Sequence, residues 1–149
     1  SSDLIDPDYR GHRVARIWNT PLLGEAFMAI SRPGALARGL IDQGVPADIA
    51  QEEAAQWALK DKRRAILKLY RSAHGLSFAH DWALDLDRLP SAGMLVWGAG
   101  DPYVELSVAQ RFAANRAMPL TIIGDAGHWA IAQRPHAVAA ALQAFWYSL

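Results

Sequence analysis

Two short apolar runs near the C-terminus each end in a glycine-rich loop that carries one half of a potential proton-relay pair. The first run, 93–97, precedes Asp101, and the second, 120–123, precedes His128. Both runs are continuous rather than alternating, which is typical of strands buried on both faces of a parallel sheet. An amphipathic segment separates them, so the pattern predicts a β-α-β-α unit of an α/β fold. In such sheets the chemistry lies at the carboxyl ends of the strands.

Two helices are expected to complete this unit. The first covers about 105–115, and the second begins with Pro135 in its first turn, where a missing N–H costs nothing. Each has one apolar side with helical spacing. In the first helix this side contains Leu106, Ala109, Phe112 and Ala113. In the last helix it contains Val138, Ala141, Leu142, Phe145 and Trp146.

The first ninety residues have a different pattern, in which proline and glycine separate segments of helical spacing. Residues 47–59 are rich in strong helix formers, and the clearest helix covers about 62–73. Its apolar face is expected to contain Ala65, Ile66, Leu69, Tyr70 and Ala73. Its cations Arg63, Arg64, Lys68 and Arg71 are expected on other faces. The chain therefore divides near Pro90 into a helical region, 1–90, and an α/β region, 91–149.

Composition narrows the function classes. Lys plus Arg equals Asp plus Glu, 15 each, so no net field recruits nucleic acid or an anionic membrane. Apolar runs stay well short of the roughly 18 residues of a membrane span. The N-terminal residues lack the basic start and apolar stretch of a signal peptide. Cysteine is absent, so a disulfide framework is excluded. A cytoplasmic location is the default expectation.

Asp101 and His128 have the chemistry of a general base and its orienting carboxylate. Histidine suits proton transfer near neutral pH, and a buried carboxylate on its other ring nitrogen fixes the tautomer. Taken singly, Gly-Asp-Pro is also an ordinary turn and Gly-His an ordinary loop. Their joint position after two successive strands favours the catalytic interpretation. Asp125, a second acid in the loop of His128, is more typical of a turn residue, and His136 is expected to face solvent.

The residues around both loops resemble the last third of an α/β-hydrolase. The acid loop of that family is similar to LVWGAGDPYV, and its His loop and closing helix are similar to TIIGDAGHWAIAQRPHAVAAALQAFW. Residues 1–90, with HRVARIWNTPLLGE and RRAILKLYRSAHG, resemble its helical cap. The resemblance implies a cap followed by the last β-α-β-α unit of the hydrolase sheet. It also implies that Asp101 and His128 belong to a nucleophile-Asp-His triad, and that the nucleophile and the oxyanion loop lie outside this sequence.

One segment resembles the nucleophile elbow of the family in sequence. Residues 75–79, Gly-Leu-Ser-Phe-Ala, resemble a degenerate Gly-x-Ser-x-Gly motif with Ser77 at its centre. A nucleophile elbow follows a strand and starts a helix, whereas the segment before Gly75 has helical periodicity. We therefore expect Gly75 to end a helix and Ser77 to cap the next one.

Three tryptophans are candidate substrate-binding residues. Trp18 and Trp57 in the cap, and Trp129 beside His128, are assigned to the lining of a small apolar substrate's cleft. For Trp18 and Trp57 the alternative is packing in the cap core, the usual role of large aromatics. Tyr70 is a candidate cap acid, with the same alternative. No metal or other cofactor is expected, because the histidines lack ligand spacing such as His-x-x-x-His.

Ester or related acyl hydrolysis is the function that this sequence favours. Haloalkane or epoxide hydrolysis with an aspartate nucleophile is the enzymatic alternative, and a catalytically inactive binding or assembly module is the alternative from another class. Two parallel strands alone are marginal and leave unpaired edges. We therefore expect the chain to need the missing N-terminal half of the enzyme or to self-associate.

Overall fold

The computed structural model describes residues 13–72 and 92–149. They form a mixed α/β structure that is mostly helical and has a two-stranded parallel sheet. Described residues 13–42 and 47–72 belong to one compact unit, and Gln43–Pro46 and 92–149 belong to a second. The predicted boundary near residue 90 lies outside the described residues, so the division into 1–90 and 91–149 stays a prediction.

The first unit is helical throughout its described part, which contains no strand. Its helices are α1 (Arg13–Asn19), α2 (Leu23–Ile30), α3 (Pro33–Asp42), α4 (Ala47–Trp57) and α5 (Lys60–Ser72). Proline begins α3, where its fixed backbone angle is already helical. The prediction of a helical first region is thus confirmed for residues 13–72, and its remainder, 73–90, lies outside the described residues.

The buried face of α5 differs from the predicted one. Leu67 is buried, whereas Leu69 keeps 65% of its surface exposed, and Ala65 is exposed as well. Ile66 and Tyr70 are half-buried and lie between the two faces. The apolar spacing alone did not decide between these faces, because both contain Ile66 and Tyr70.

Two arginines, rather than apolar residues, complete the inner face of α5. Arg63 donates from Nε to the Trp57 carbonyl at 2.7 Å, and its Nη atoms donate to the carbonyls of Met28 and Ser31. These carbonyls lie at the C-terminal ends of α4 and α2, where intrahelical donors run out. The five N–H donors of a guanidinium can satisfy several such carbonyls at once. The prediction that Arg63 lies away from the packed face was therefore wrong.

Arg71 makes corresponding contacts about two turns further along α5. Its Nε donates to the Trp18 carbonyl near the end of α1, at 3.2 Å. Its two Nη atoms donate to the two carboxylate oxygens of Glu25 on α2, at 2.7 and 2.8 Å. Arg71 thus joins α5 to both α1 and α2, which also corrects the prediction that it lies on another face.

The second unit has the predicted strand-helix-strand order. Its elements are β1 (Leu95–Gly98), α6 (Leu106–Asn115), β2 (Leu120–Ile123), α7 (Ala130–Gln133) and α8 (Pro135–Tyr147). The strands pair in parallel, from Leu95 opposite Leu120 to Gly98 opposite Ile123. Ala109 and Ala113 on the predicted inner side of α6 are buried. Both the helix between the strands and the helix that begins at Pro135 are confirmed.

The core of the second unit is small and one-sided. Ile123, Ala126 and Val138 are buried together, and Val96, Ala130 and Leu142 pack against them. Successive side chains of a strand point to opposite faces. Ile122 therefore points away from this cluster, and 43% of its surface is exposed. The expectation of burial on both faces therefore fails at Ile122 of β2, whereas the residues of β1 are half-buried or buried. The inward placement of Trp146 was wrong, because 62% of its surface is exposed.

Across residues 13–72 and 92–149, no helix has the length and apolar character needed to cross a membrane.

Candidate active site

The loops that follow β1 and β2 are hydrogen-bonded to each other beyond the ends of the strands. The Ala99 N–H donates to the Ile123 carbonyl at 3.0 Å, and the Gly100 N–H donates to the Ala126 carbonyl at 2.9 Å. Because the strands are parallel, both loops leave the same end of the sheet. The backbone thus holds the loop of Asp101 directly against the loop of His128.

Gly98 permits this close approach. A Cβ atom at this position would lie 2.1 Å from the Gly127 carbonyl oxygen and 2.8 Å from that of Ala126. Both are backbone atoms that cannot rotate aside. Glycine is therefore required at the last residue of β1, because any side chain would force the two loops apart.

Asp101 and His128 form a hydrogen-bonded pair. Nδ1 of His128 lies 2.8 Å from Oδ2 of Asp101. The side chain of Asp101 is only 6% exposed, whereas that of His128 is 40% exposed. The predicted geometry, in which both residues lie on adjacent loops at one end of the sheet within hydrogen-bonding distance, is confirmed.

The Asp101 carboxylate is fixed by its own loop. Its Oδ1 accepts hydrogen bonds from the backbone N–H groups of Tyr103 and Val104, at 2.8 and 3.1 Å. This is the turn geometry that a short carboxylate side chain favours. Together with His128, three donors satisfy a carboxylate that is almost completely removed from solvent, as a buried acidic group requires. The carboxylate therefore presents Oδ2 to the imidazole in one fixed orientation.

This arrangement determines which nitrogen of the imidazole is free to react. An ionised carboxylate only accepts hydrogen bonds, so Nδ1 of His128 carries the proton. In the neutral ring Nε2 then holds the lone pair. The structure gives Nε2 no hydrogen-bond partner among the described residues, and the His128 side chain is partly exposed. The pair can therefore accept a proton at Nε2 from a group that approaches the open side of the ring.

Two aromatic rings flank the imidazole. Tyr103 lies edge-to-face with His128 at a centroid distance of 4.7 Å, and Trp129 lies edge-to-face with it at 5.4 Å. Trp129 is 37% exposed. The prediction places Trp129 beside His128, as the structure does, and its role in binding substrate stays a prediction.

Trp18 and Trp57 lie together in the first unit. Their ring centroids are 5.7 Å apart, and Trp18 also lies edge-to-face with Tyr70 at 4.6 Å. All three rings are half-buried. This cluster is the arrangement expected of the packing alternative, and the substrate-binding role of Trp18 and Trp57 and the acid role of Tyr70 stay predictions.

Asp125, the other acid of the loop, has a different partner. Its Oδ2 accepts a hydrogen bond from Nε of Arg134. That hydrogen bond lowers the pKa of Asp125 below its ordinary value. Asp101 rather than Asp125 is thus the carboxylate paired with His128, and His136 is exposed as predicted. The serine of the imitated elbow, Ser77, lies outside the described residues.

Two glutamines beside the pair escaped the sequence analysis. Gln133 accepts a hydrogen bond at Oε1 from the Gly127 N–H, at 2.7 Å, and donates from Nε2 to the Gln43 carbonyl. Gln43 accepts at Oε1 from the Tyr103 hydroxyl, at 3.0 Å. Gln133 follows the loop of His128 by only a few residues, so its position in the sequence could have indicated a place in the site. Gln43 has no such signal, because it precedes Tyr103 by 60 residues.

The described part of the chain offers no metal centre, since it contains no cluster of three or more His, Cys, Asp or Glu side chains that could hold an ion. The histidines at 12, 74 and 80 lie outside the described residues. Compared with protein-family models, curated proteins and solved structures, the chain has no significant match.

Proposed function

We propose that this chain is the C-terminal part of an α/β-hydrolase, in which His128 activates a nucleophile from outside this sequence and Asp101 orients His128. The observation that carries the proposal is the 2.8 Å contact between Nδ1 of His128 and Oδ2 of Asp101. The pair lies just beyond two parallel strands, which is where α/β sheets place their chemistry. The quoted resemblance of residues 93–146 to the acid and His loops of the family supports the same conclusion.

The favoured reaction is hydrolysis of an ester through a covalent acyl intermediate. Nε2 of His128 takes the proton of a serine hydroxyl as its oxygen attacks the ester carbonyl carbon. The resulting imidazolium is stabilised by the Asp101 carboxylate through Nδ1–H. His128 then gives the proton from Nε2 to the departing alkoxide, and the C–O bond to the alcohol breaks. In the second half, His128 accepts a proton from water, which attacks the acyl carbon, and returns it to the serine oxygen.

A small apolar substrate fits the surroundings of His128. Trp129 adjoins the imidazole and is partly exposed, so it offers an apolar wall beside the reacting nitrogen. We expect this wall to suit a substrate with a small, apolar and uncharged acyl or alcohol part.

We expect the isolated chain to lack esterase activity and to leave one face of its sheet exposed. Without a nucleophile no covalent intermediate forms, and loss of even one oxyanion donor lowers the rate by about 10²–10³. The open sheet face at Ile122 also favours self-association or pairing with a missing segment. Ester turnover by the 149-residue chain that disappears in His128→Ala would contradict the assignment of the nucleophile to another segment.

The decisive experiment compares this chain with a longer polypeptide translated from the same coding sequence and the sequence upstream of it. A fluorophosphonate probe followed by peptide mass spectrometry should label one serine in the longer protein, and His128→Ala should abolish labelling. Incorporation of ¹⁸O from water into an aspartate during a single turnover would instead favour the haloalkane or epoxide alternative. Neither label, with folded protein and no ester turnover, would contradict the hydrolase proposal and favour a binding module.

A further inference from the structure

We propose that Gln43 and Gln133 are positioning residues that fix the orientation and tautomer of His128. This inference rests on the proposed role of the Asp101–His128 pair. Gln43 belongs to the short segment Gln43–Pro46, which is part of the same compact unit as the two loops. Both glutamines are half-buried, and their hydrogen bonds lead to Tyr103 and Gly127, the residues beside the pair.

The two glutamines and the pair form a closed circuit of hydrogen bonds. The Tyr103 hydroxyl donates to Gln43 Oε1 at 3.0 Å, and the Tyr103 N–H donates to Asp101 Oδ1 at 2.8 Å. Asp101 Oδ2 is hydrogen-bonded to Nδ1 of His128 at 2.8 Å. The chain then leads back one residue to Gly127, whose N–H donates to Gln133, and Gln133 donates to the Gln43 carbonyl.

A closed circuit restrains the pair from both sides. If the only link between the loops were the Asp101–His128 hydrogen bond, rotation of the imidazole would break it without affecting any other contact. Here the Tyr103 ring packs edge-to-face on the imidazole, and the Tyr103 hydroxyl is held by Gln43. The backbone next to His128 is held by Gln133. Rotation of the imidazole is therefore opposed by the Tyr103 ring, whose hydroxyl is bonded to Gln43.

Gly44, the residue after Gln43, lies against the side-chain amide of Gln133. Its φ is +83°, a left-handed conformation that favours glycine, and a Cβ there would lie 3.1 Å from Nε2 of Gln133. The backbone after Gln43 thus turns in a conformation that glycine favours, and the Gln43 carbonyl accepts the hydrogen bond from Gln133. This local geometry supports a dedicated contact between the segment and the loop of His128.

The test reads the tautomer of His128 directly, without any need for catalytic activity. The ¹⁵N shifts of the neutral imidazole distinguish protonated Nδ1 from protonated Nε2 in the full chain. We expect wild-type protein to hold Nδ1–H. In Gln43→Ala and in Tyr103→Phe, the ratio of Nδ1–H to Nε2–H should fall about tenfold, a factor that one neutral hydrogen bond supports. The double variant should lose less than the two single losses added together, because the hydrogen bond between the two side chains is common to both changes.

Matched variants separate positioning from general loss of structure. Gln43→Glu keeps an acceptor for the Tyr103 hydroxyl and should restore the wild-type ratio. Gln133→Leu breaks the other arm of the circuit and should lower the ratio as Gln43→Ala does. Gln143→Ala, an exposed glutamine on α8, should leave the ratio unchanged. If Gln43→Ala fails to fold, Tyr103→Phe tests the same bond with Gln43 intact.

The outcomes distinguish this inference from the proposed function. A wild-type protein whose neutral His128 carries its proton on Nε2 would contradict the Asp101–His128 relay itself. A wild-type protein with Nδ1–H that is retained in Gln43→Ala, Tyr103→Phe and Gln133→Leu would overturn the positioning role alone. Failure of Gln43→Glu to restore the ratio would also overturn it, because the acceptor would then be irrelevant.

Discussion

Both compact units contain polar side chains that are hydrogen-bonded to backbone atoms far away in the sequence, but these contacts have different roles in the two units. In the first unit Arg63 and Arg71 donate to helix carbonyls and to Glu25. Their contacts join helices to one another. In the second unit the hydrogen bonds through Gln43 and Gln133 lead to an imidazole whose Nε2 is left open among the described residues. Satisfied polar groups there hold one reactive nitrogen in place.

The open end of a polar network indicates a candidate functional site in a chain of this kind. Polar networks whose members all satisfy one another stabilise a fold and have nothing left to offer a substrate. A network that ends on a partly exposed, titratable atom has a free group at a fixed position.

Replacement of Asp101 should have the largest effect. Asp101→Asn keeps the shape of the side chain but no longer requires the proton on Nδ1 of His128. In the longer protein that we propose to be a hydrolase, we expect kcat to fall by about 10⁴-fold, as the wrong tautomer does in a triad. The matched control is Asp125→Asn in the neighbouring loop, for which we expect less than about a twofold change. A loss below tenfold, or an equal loss in the control, would remove the distinction between the two acids.

The close approach of the two loops gives the second prediction. Gly98→Ala places a methyl group 2.1 Å from a backbone carbonyl, so the unfolding free energy of the second unit should fall by about 3 kcal/mol. Gly124→Ala is the control, because a Cβ there meets nothing within 4 Å, and its effect should stay within about 0.5 kcal/mol. Amide hydrogen exchange in β2 reports this unit separately. Equal protection in both variants would show that the loops separate without cost.

Adjacent arginines on α5 test the structural network of the first unit. Arg63→Met removes three hydrogen bonds to helix-end carbonyls and should lower the unfolding free energy by about 2–3 kcal/mol. Arg64→Met removes an exposed contact with Asp61 at 3.9 Å and should cost less than about 0.5 kcal/mol. Thermal and urea unfolding measure both. Comparable losses would mean that the carbonyl contacts of Arg63 add little to stability.

The smallest effect is expected from acid titration of the first unit. The hydrogen bond from Arg71 lowers the pKa of Glu25 from 4.5 to about 2. Because the folded-state pKa is lowered, this stabilisation is present above pH 4.5 and is lost as the pH falls toward about 2. Between those values Tm should fall less steeply in Glu25→Gln than in wild type. The difference should stay below about 3 °C, since Glu25 is half exposed.

Two controls sharpen that measurement. Glu52→Gln removes an exposed carboxylate from α4 and should leave the acid dependence of wild type unchanged. High salt should reduce the difference between wild type and Glu25→Gln, because it screens an exposed ion pair. An identical acid dependence in wild type and Glu25→Gln at low salt would show that the ion pair with Arg71 contributes nothing to stability.

The strand-helix-strand order and the loops that carry Asp101 and His128 could be predicted from local sequence patterns. Both are local: a short apolar run, a glycine-rich loop and a helix with one apolar side are each contained in a dozen residues. A parallel crossover then places the carboxyl ends of both strands at the same edge. The meeting of Asp101 and His128 followed from these steps, although the distance between their atoms did not.

Tertiary structure alone decided the contacts made over long separations. The apolar spacing of α5 is compatible with two faces, and packing selected the one that buries Leu67 and brings Arg63 to carbonyls more than 30 residues away. The exposure of Ile122 and Trp146 depends on what covers the sheet and α8, which no local pattern states. The place of Gln43 in the site could not be predicted, because no sequence pattern shows which donors and acceptors an uncharged amide will meet. Those partners are known only from the folded structure.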